Sequence, residues 1–458
     1  MLLTFGCGPD DGVSHAPPPP PPAPEILSGG VAGNPTNVLS AVVTARVLLA
    51  DSVAVRYGPA GTPLDSVGPM IALSGDSVDL PVLGLLPATR YHLAILAYGA
   101  GGVVVGDTLD FITGTLPADL PAYTASGSDP SPGYVVFGAG MYGLAIDNTG
   151  RVVWYYRFPS GPGLNFESQP TGRYVARPTT PDPADRDLWV EVDPLGNVTR
   201  TFGCAGGLQA RFHDLIAETD GSYWTMCDEV RTMDLSNLGG VAAAKVMGTV
   251  VQHVSAAGDL LFQWSPFDHF EITDLPLADR TGPNVNWTHG NAIDLDSDGN
   301  LIVSFRSLSE ITNIDRTNGS VVWRMGGLRN QFTLQNAPPA GFARQHGLRA
   351  TAPGQFVLLD NAGDAYSTRA ERYVYDAAAR TAQLVGSYGP NPAVVTQLGG
   401  STQHLPGGRT LVAFGSAGRL EEYDAAGSMV WHVEGNAGYV FRAQRIQSLY
   451  RPGVHDPR

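Results

Sequence analysis

No run of apolar residues in the chain reaches the roughly 20 that a helix needs to cross a bilayer, which excludes a body built of membrane-spanning helices. Positive charge is scarce: 28 Lys and Arg stand against 43 Asp and Glu, for a formal net charge of −15 at pH 7. That balance argues against a nucleic-acid partner, because phosphate recognition needs a basic face. An anionic small molecule would need a local basic cluster that overcomes the global field. Cysteine is scarce as well. The chain has three, Cys7, Cys204 and Cys227, too few for a disulfide scaffold. Cys204 and Cys227 are left either as one bridge, which an oxidising compartment permits, or as two buried thiols that never meet.

Glycine and proline are plentiful, at 56 and 36 of the 458 residues, while charged residues make up only 16%. Such a mixture favours many short strands and turns over long helices, and the length allows roughly two to four domains. The segment before Cys7 resembles the end of a bacterial lipoprotein signal. Cys7 is therefore a candidate lipid anchor, and the expected location is exported, periplasmic or membrane-anchored. Pro17 to Pro22 form a polyproline tether, so residues 1–24 are expected to be signal remnant and tether. Residues 25–116 alternate in strand fashion and resemble a fibronectin type III-like β-sandwich, with Tyr91 in the place of a corner tyrosine. Nothing in that unit gathers chemistry, so its expected role is spacing or packing.

From residue 117 to 458 one pattern recurs. Its clearest copy runs from Asn286 to Gly327, where four short strands are joined by turns at Asp298-Gly299-Asn300 and Asn318-Gly319. Four antiparallel strands in about forty residues is the size of one propeller blade. Six outer hairpins can be counted, and five inner ones turning at Gly172, Gly221, Gly299, Gly354 and Gly407. The missing inner strand belongs to the first unit, and an unassigned strand remains between Tyr439 and Tyr450. Pairing the two predicts an all-β chain whose catalytic domain is a six-bladed β-propeller without free edges.

In a propeller the innermost strands face a central channel, so residues at one phase of the repeat converge. His213 lies 8 residues before Gly221, His289 lies 10 before Gly299, and His346 lies 8 before Gly354. These even offsets predict one shared strand face. His404 sits too close to its turn to be in register and is a less regular member. Asn291 shares the face of His289, and Arg306 matches Asn361 and Asp228, each 7 residues beyond its turn. Three imidazoles with a guanidinium and amides suit an oxyanion better than a metal, since an arginine beside the site disfavours a cation. Residues 294–299 begin like a calcium loop, but Phe305 stands where a bidentate glutamate is needed. A plain hairpin turn is the expected reading, and no metal or cofactor is expected.

At these residues the chain resembles the bacterial arylsulfate sulfotransferases that need no nucleotide donor. The motifs are F-H-D at His213, W-T-H-G-N at His289 with Arg306 downstream, S-P-F-D-H-F at His269, and Q-H-G at His346 followed by L-L-D-N at Asn361. The resemblance implies that His346 is the nucleophile, taking a sulfuryl group from an aryl sulfate and passing it to a phenol. It also implies that His213, His289, Asn291 and Arg306 hold the sulfuryl oxygens and manage protons. Asn361 and His404 are further candidate substrate contacts. Gly290 stands where some members carry a larger polar residue. The partners implied are a small aryl sulfate and a phenolic acceptor, with a homodimer as a candidate state. A non-catalytic propeller that binds an anionic ligand or a protein partner is the alternative, and a quinone-dependent dehydrogenase lacks the repeated tryptophan docking motif it would need.

Overall fold

The structure is a computed structural model that describes residues 19–159, 161–178, 188–338, 341–361 and 367–457. Cys7 and the first part of the proline tether lie outside the described residues. The described chain is all-β, with only three-residue 3-10 turns between strands, and none of its helices is long and apolar enough to cross a membrane. It divides into two compact units, one of Met1–Gly33, Ala41–Val82 and Thr89–Ile112, the other of Asn34–Ser40, Leu83–Ala88 and Thr113–Arg458.

The smaller unit is built on two sheets. One joins Glu25–Gly33, Ser40–Leu48 and Ser77–Leu83; the other has Ser52–Pro59 and Arg90–Gly99 at its centre. Its core follows the period of two: Ala41, Val43, Ala45 and Val47 are buried on one strand, and Tyr91, Leu93 and Ile95 on another. The stretch from Val103 to Ile112 reads as one strand in sequence but forms two, Gly102–Val105 and Leu109–Ile112, split after the Gly106 N–H turns back to the Ile95 carbonyl.

In the larger unit the described strands form six ladders, antiparallel except where the short strands Asn284–Asn286 and Thr333–Gln335 add in parallel. We label them sheets 1 to 6 by their leading strands, which are Ala443–Ile446, Gly163–Gln169, Gln209–Ala217, Gly290–Leu295, His346–Ala352 and Ser401–Leu405. Each leading strand packs against the next, and the sixth packs against the first, so the six form a closed cycle. The cycle is sealed in two places. Ala443–Ile446 pairs with Tyr134–Ala139 to complete sheet 1, and Ala125–Gly127 pairs with Met429–Val433 to complete sheet 6. Tryptophans fill the space between ladders: Trp154, Trp189, Trp224, Trp264, Trp287 and Trp431 are all fully buried. By area each contributes roughly 4–6 kcal/mol to burial, as an upper figure. In the hairpin of sheet 4, one Asp296 oxygen accepts the N–H groups of Asp298 and Asn300 while Gly299 takes φ +78°. That carboxylate is therefore used within a hairpin turn.

Candidate functional site

Three histidines meet where sheets 3, 4 and 5 begin. His213 lies inside its strand, His346 opens its strand, and His289 stands just ahead of Gly290–Leu295. His289 adopts φ +46°, a left-handed conformation uncommon for a residue with a side chain. Its carbonyl accepts the N–H of Arg306 at 3.0 Å, which ties the loop ahead of one strand to the end of the next. His213 Nε2 and His289 Nε2 are 3.2 Å apart, and the rings cross at 66°. Phe212 stacks on His213 at 4.1 Å between centroids, while Phe441 presents its edge to His213 at 5.8 Å and to His346 at 6.4 Å.

His346 is buried and its Nδ1 lies 2.8 Å from Asn361 Oδ1. The Asn361 amide is oriented by its other end, where Nδ2 donates to the carbonyls of Thr396 at 2.9 Å and Gly399 at 3.2 Å. Its oxygen can only accept, so Nδ1 of His346 must carry the proton and Nε2 keeps its lone pair. Burial lowers the pKa of His346 to about 4, with the charges of Arg306 and Arg442 adding to the effect and the Asn361 bond and the Arg344 backbone opposing it. Burial also holds His213 and His289 well below the usual imidazole range, and Arg211 is the next cause for both. All three rings are therefore neutral at pH 7, inside a positive field.

Arg306, half-buried, donates to the Gln397 carbonyl at 3.1 Å. Burial and the neighbouring Arg344 lower its pKa. Asn291 is fully buried, and its Nδ2 donates to the Gln345 carbonyl at 2.6 Å. Its Oδ1 has no hydrogen-bond partner among the described residues. His404 is not brought into this group: it sits half-buried on Ser401–Leu405, and its charged neighbour is Arg372. Gly290 also has a steric explanation. Its N–H donates to Thr249 Oγ1 at 2.9 Å, and a Cβ there would fall 2.5 Å from Met226 Cε and 2.7 Å from Thr249 Cγ2.

Sequence reasoning missed the supports of these rings. Arg211 Nε donates to His213 Nδ1 at 3.1 Å, and Arg211 is ion-paired with Asp228. Arg344 is paired with Asp279 at 2.6 Å, and its charge reaches both His289 and Arg306. A quartet of buried charges ties three of the leading strands to the residue just ahead of a fourth. Arg349 bonds Asp214 at 2.8 and 3.1 Å and Glu167 at 3.4 Å. Arg442 bonds both Glu167 oxygens at 2.9 Å and Asp214 at 2.7 Å. All four residues are at most 3% exposed. Burial opposes the charge of Arg349, but Asp214 and Glu167 more than offset it and push its pKa up. Two positive and two negative groups make the quartet neutral as a whole, while Arg442 within it acts on His213 and His346 alongside Arg211, Arg306 and Arg344. Of the two fates open to Cys204 and Cys227, the structure has the bridge. It closes a loop that carries both Arg211 and His213.

Residues 209–436 match the protein family described as Arylsulfotransferase (ASST). That range takes in His213, His289, Arg306, His346 and Asn361, and ends before Arg442. No curated protein matches the chain. Among solved structures it is similar to a protein of unknown function from Bacteroides caccae, with 14% identity, TM-score 0.43, and coverage of 69% of this chain and 100% of that one. It is also similar to virginiamycin B lyase from Staphylococcus aureus, with 12% identity, TM-score 0.36, and coverage of 77% and 93%. The beta-propeller domain of Myceliophteria thermophila Cps50 (Swd1) matches with 11% identity, TM-score 0.36, and coverage of 69% and 90%.

Proposed function

Because the chain belongs to the arylsulfotransferase family, we propose that it moves a sulfuryl group from an aryl sulfate to a phenolic acceptor through a covalent intermediate on His346, with no nucleotide donor. The closed cycle of six ladders supports reading the larger unit as a six-bladed β-propeller; the smaller unit is read as a fibronectin type III-like sandwich. The observation that carries the mechanism is the Asn361 contact, which leaves a bare lone pair on Nε2 of a buried, neutral imidazole.

In the first half-reaction His346 Nε2 attacks sulfur, the bond from sulfur to the aryl oxygen breaks, and the phenolate departs with the electron pair. In the second, a phenol oxygen attacks the same sulfur, the S–N bond breaks, and the pair returns to Nε2. Charge gathers on the sulfuryl oxygens in each transition state. Arg306, the hydrogen on His213 Nε2 and the second Nδ2 hydrogen of Asn291 are the groups assigned to meet it. Two half-reactions through one residue require ping-pong kinetics. The Cys204–Cys227 bridge supports an oxidising, exported location, with Cys7 as the proposed anchor.

Intact-mass measurement tests this reading. Mixing the protein with p-nitrophenyl sulfate should add one sulfuryl group and release one equivalent of phenolate before any acceptor is present. Donor binding with no adduct at any donor concentration would instead favour a non-catalytic anion-binding propeller.

The pH dependence follows from the same ring. His346 must be neutral to attack, and its folded pKa is about 4, so transfer should stay level from neutral pH downward and fall only as pH drops through about 4. Stability behaves differently. The unfolded ring takes up a proton near its ordinary value of about 6.5, so the unfolded state binds more protons between the two values. Stability is therefore full above about 6.5 and declines as pH falls toward 4. Activity and melting temperature measured on one pH series should separate by that interval.

A further inference from the structure

We infer that Arg211 is a positioning residue that fixes His213 as a neutral ring with its proton on Nε2, making His213 a permanent hydrogen-bond donor beside His289. The consequence for the reaction rests on the sulfotransferase reading; the protonation state does not.

A guanidinium has five N–H donors and no acceptor. Its contact with His213 Nδ1 at 3.1 Å is a hydrogen bond only if that nitrogen is unprotonated, which places the ring's proton on Nε2. Nε2 faces His289 Nε2 at 3.2 Å, and two N–H groups cannot point at each other across that gap. His289 Nε2 therefore accepts, and the His289 proton lies on Nδ1, which is 2.5 Å from Nδ2 of Asn286; this tautomer requires the Asn286 amide turned end for end, so that its oxygen accepts there. Arg211 is 7% exposed and ion-paired with Asp228, so it is not free to turn away.

The arrangement mirrors the one at His346. There an acceptor, Asn361, puts the proton on Nδ1 and bares Nε2 for attack. At His213 a donor bares Nδ1 and leaves Nε2–H facing the site. Asp228 and Asn361 hold equivalent positions, each 7 residues past its hairpin glycine. One position of the repeat thus sets opposite protonation states in two sheets, directly in one and through Arg211 in the other. His213 cannot become an imidazolium while Arg211 donates to it, so of this pair only His289 is free to take a proton. In the second half-reaction the incoming phenol's proton passes to His289 Nε2 as its oxygen bonds sulfur and the S–N bond breaks. His213 then donates to a sulfuryl oxygen, and the His289 proton leaves with the phenolate of the next donor.

The test is ¹⁵N spectroscopy of the imidazole nitrogens in the whole free protein, with Arg211→Met, Arg211→Lys and Asp228→Asn beside it. In the wild type, His213 Nδ1 should read as pyridine-type and Nε2 as pyrrole-type, without titrating through the usual imidazole range. Arg211→Met should mix the two tautomers of His213 and lower transfer on the order of 10²- to 10³-fold, the loss typical of one oxyanion donor. It should also add an ionisation to the kcat/KM profile, which Arg211→Lys restores in part. A protonated Nδ1 in the wild type, or ring spectra unchanged by Arg211→Met, would overturn the assignment. If Arg211→Met does not fold, the wild-type spectrum and Asp228→Asn decide. The spectra need no sulfuryl chemistry, so an inactive protein with the assigned tautomers would refute the enzymatic reading alone.

Discussion

His346→Ala is expected to abolish sulfuryl transfer, on the order of a 10⁶-fold loss in kcat, as when other covalent enzymes lose a nucleophile. No sulfuryl adduct should form at any donor concentration. The size of the effect follows from there being one route: Nε2 of His346 is the lone pair that the Asn361 contact exposes, whereas Arg211 holds Nε2 of His213 as a donor. Asn361→Leu should separate position from chemistry. It leaves the imidazole in place but releases Nδ1, so the ring can hold its proton on the wrong nitrogen; a misplaced tautomer costs up to about 10⁴-fold in a comparable relay. Donor binding in both variants should be retained, because Arg306 and the histidine pair are untouched. Full transfer by His346→Ala would end the proposed mechanism whatever the adduct data say.

Arg349→Met is expected to produce the largest loss of stability among single substitutions in the larger unit. The methionine fills similar space but leaves Glu167 and Asp214, both fully buried, with one arginine of the quartet, Arg442, beside the N–H groups they already accept from Asn165, Leu215 and Ile293. Removing one partner from a buried ion pair costs about 3–5 kcal/mol, most of it from the charge left behind. At roughly 2–4 °C per kcal/mol for a unit of this size, melting should fall by about 6–20 °C in calorimetry. Arg46→Met is the control. Arg46 pairs with Asp76 in solvent, with both side chains about half exposed, and such pairs contribute little. The double variant Arg349→Met/Asp214→Asn should recover part of the loss by restoring neutrality. A melting point unmoved by Arg349→Met would mean that the quartet tolerates an unpaired carboxylate, and that the strands are held by apolar packing alone.

The histidines were legible in sequence for a reason that proved only partly right. Even spacing from the hairpin glycines predicted a common strand face, yet each of the three strand pairs has an irregularity in register at or just beyond the histidine: between Ala210 and Leu215, between Gly290 and Ala292, and between His346 and Arg349. His289 does not even lie in its strand. The rings converge because the leading strands of three sheets pack side by side, with local irregularities in register aiming each side chain. Hairpins were readable because turn chemistry is local: an Asp or Asn with a left-handed glycine a few residues on is enough to mark one. The quartet was not, because Glu167, Asp214, Arg349 and Arg442 lie up to 275 residues apart, and each taken singly reads as a surface charge. Arg211 did leave a signal, standing two residues before His213 and so on the same face.

The chain meets its own beginning only when it is nearly finished. Tyr134–Ala139 waits for Ala443–Ile446, and Met429–Val433 returns to Ala125–Gly127. During synthesis more than half of the ladders can pair within themselves before Arg442 exists, and until it arrives Glu167 and Asp214 have one of the two arginines of the quartet, Arg349, between them. Closure of the ring and neutralisation of its centre are therefore one late event. A chain stopped short of Arg442 would hold all three histidines and still lack the last cation that lets them sit together.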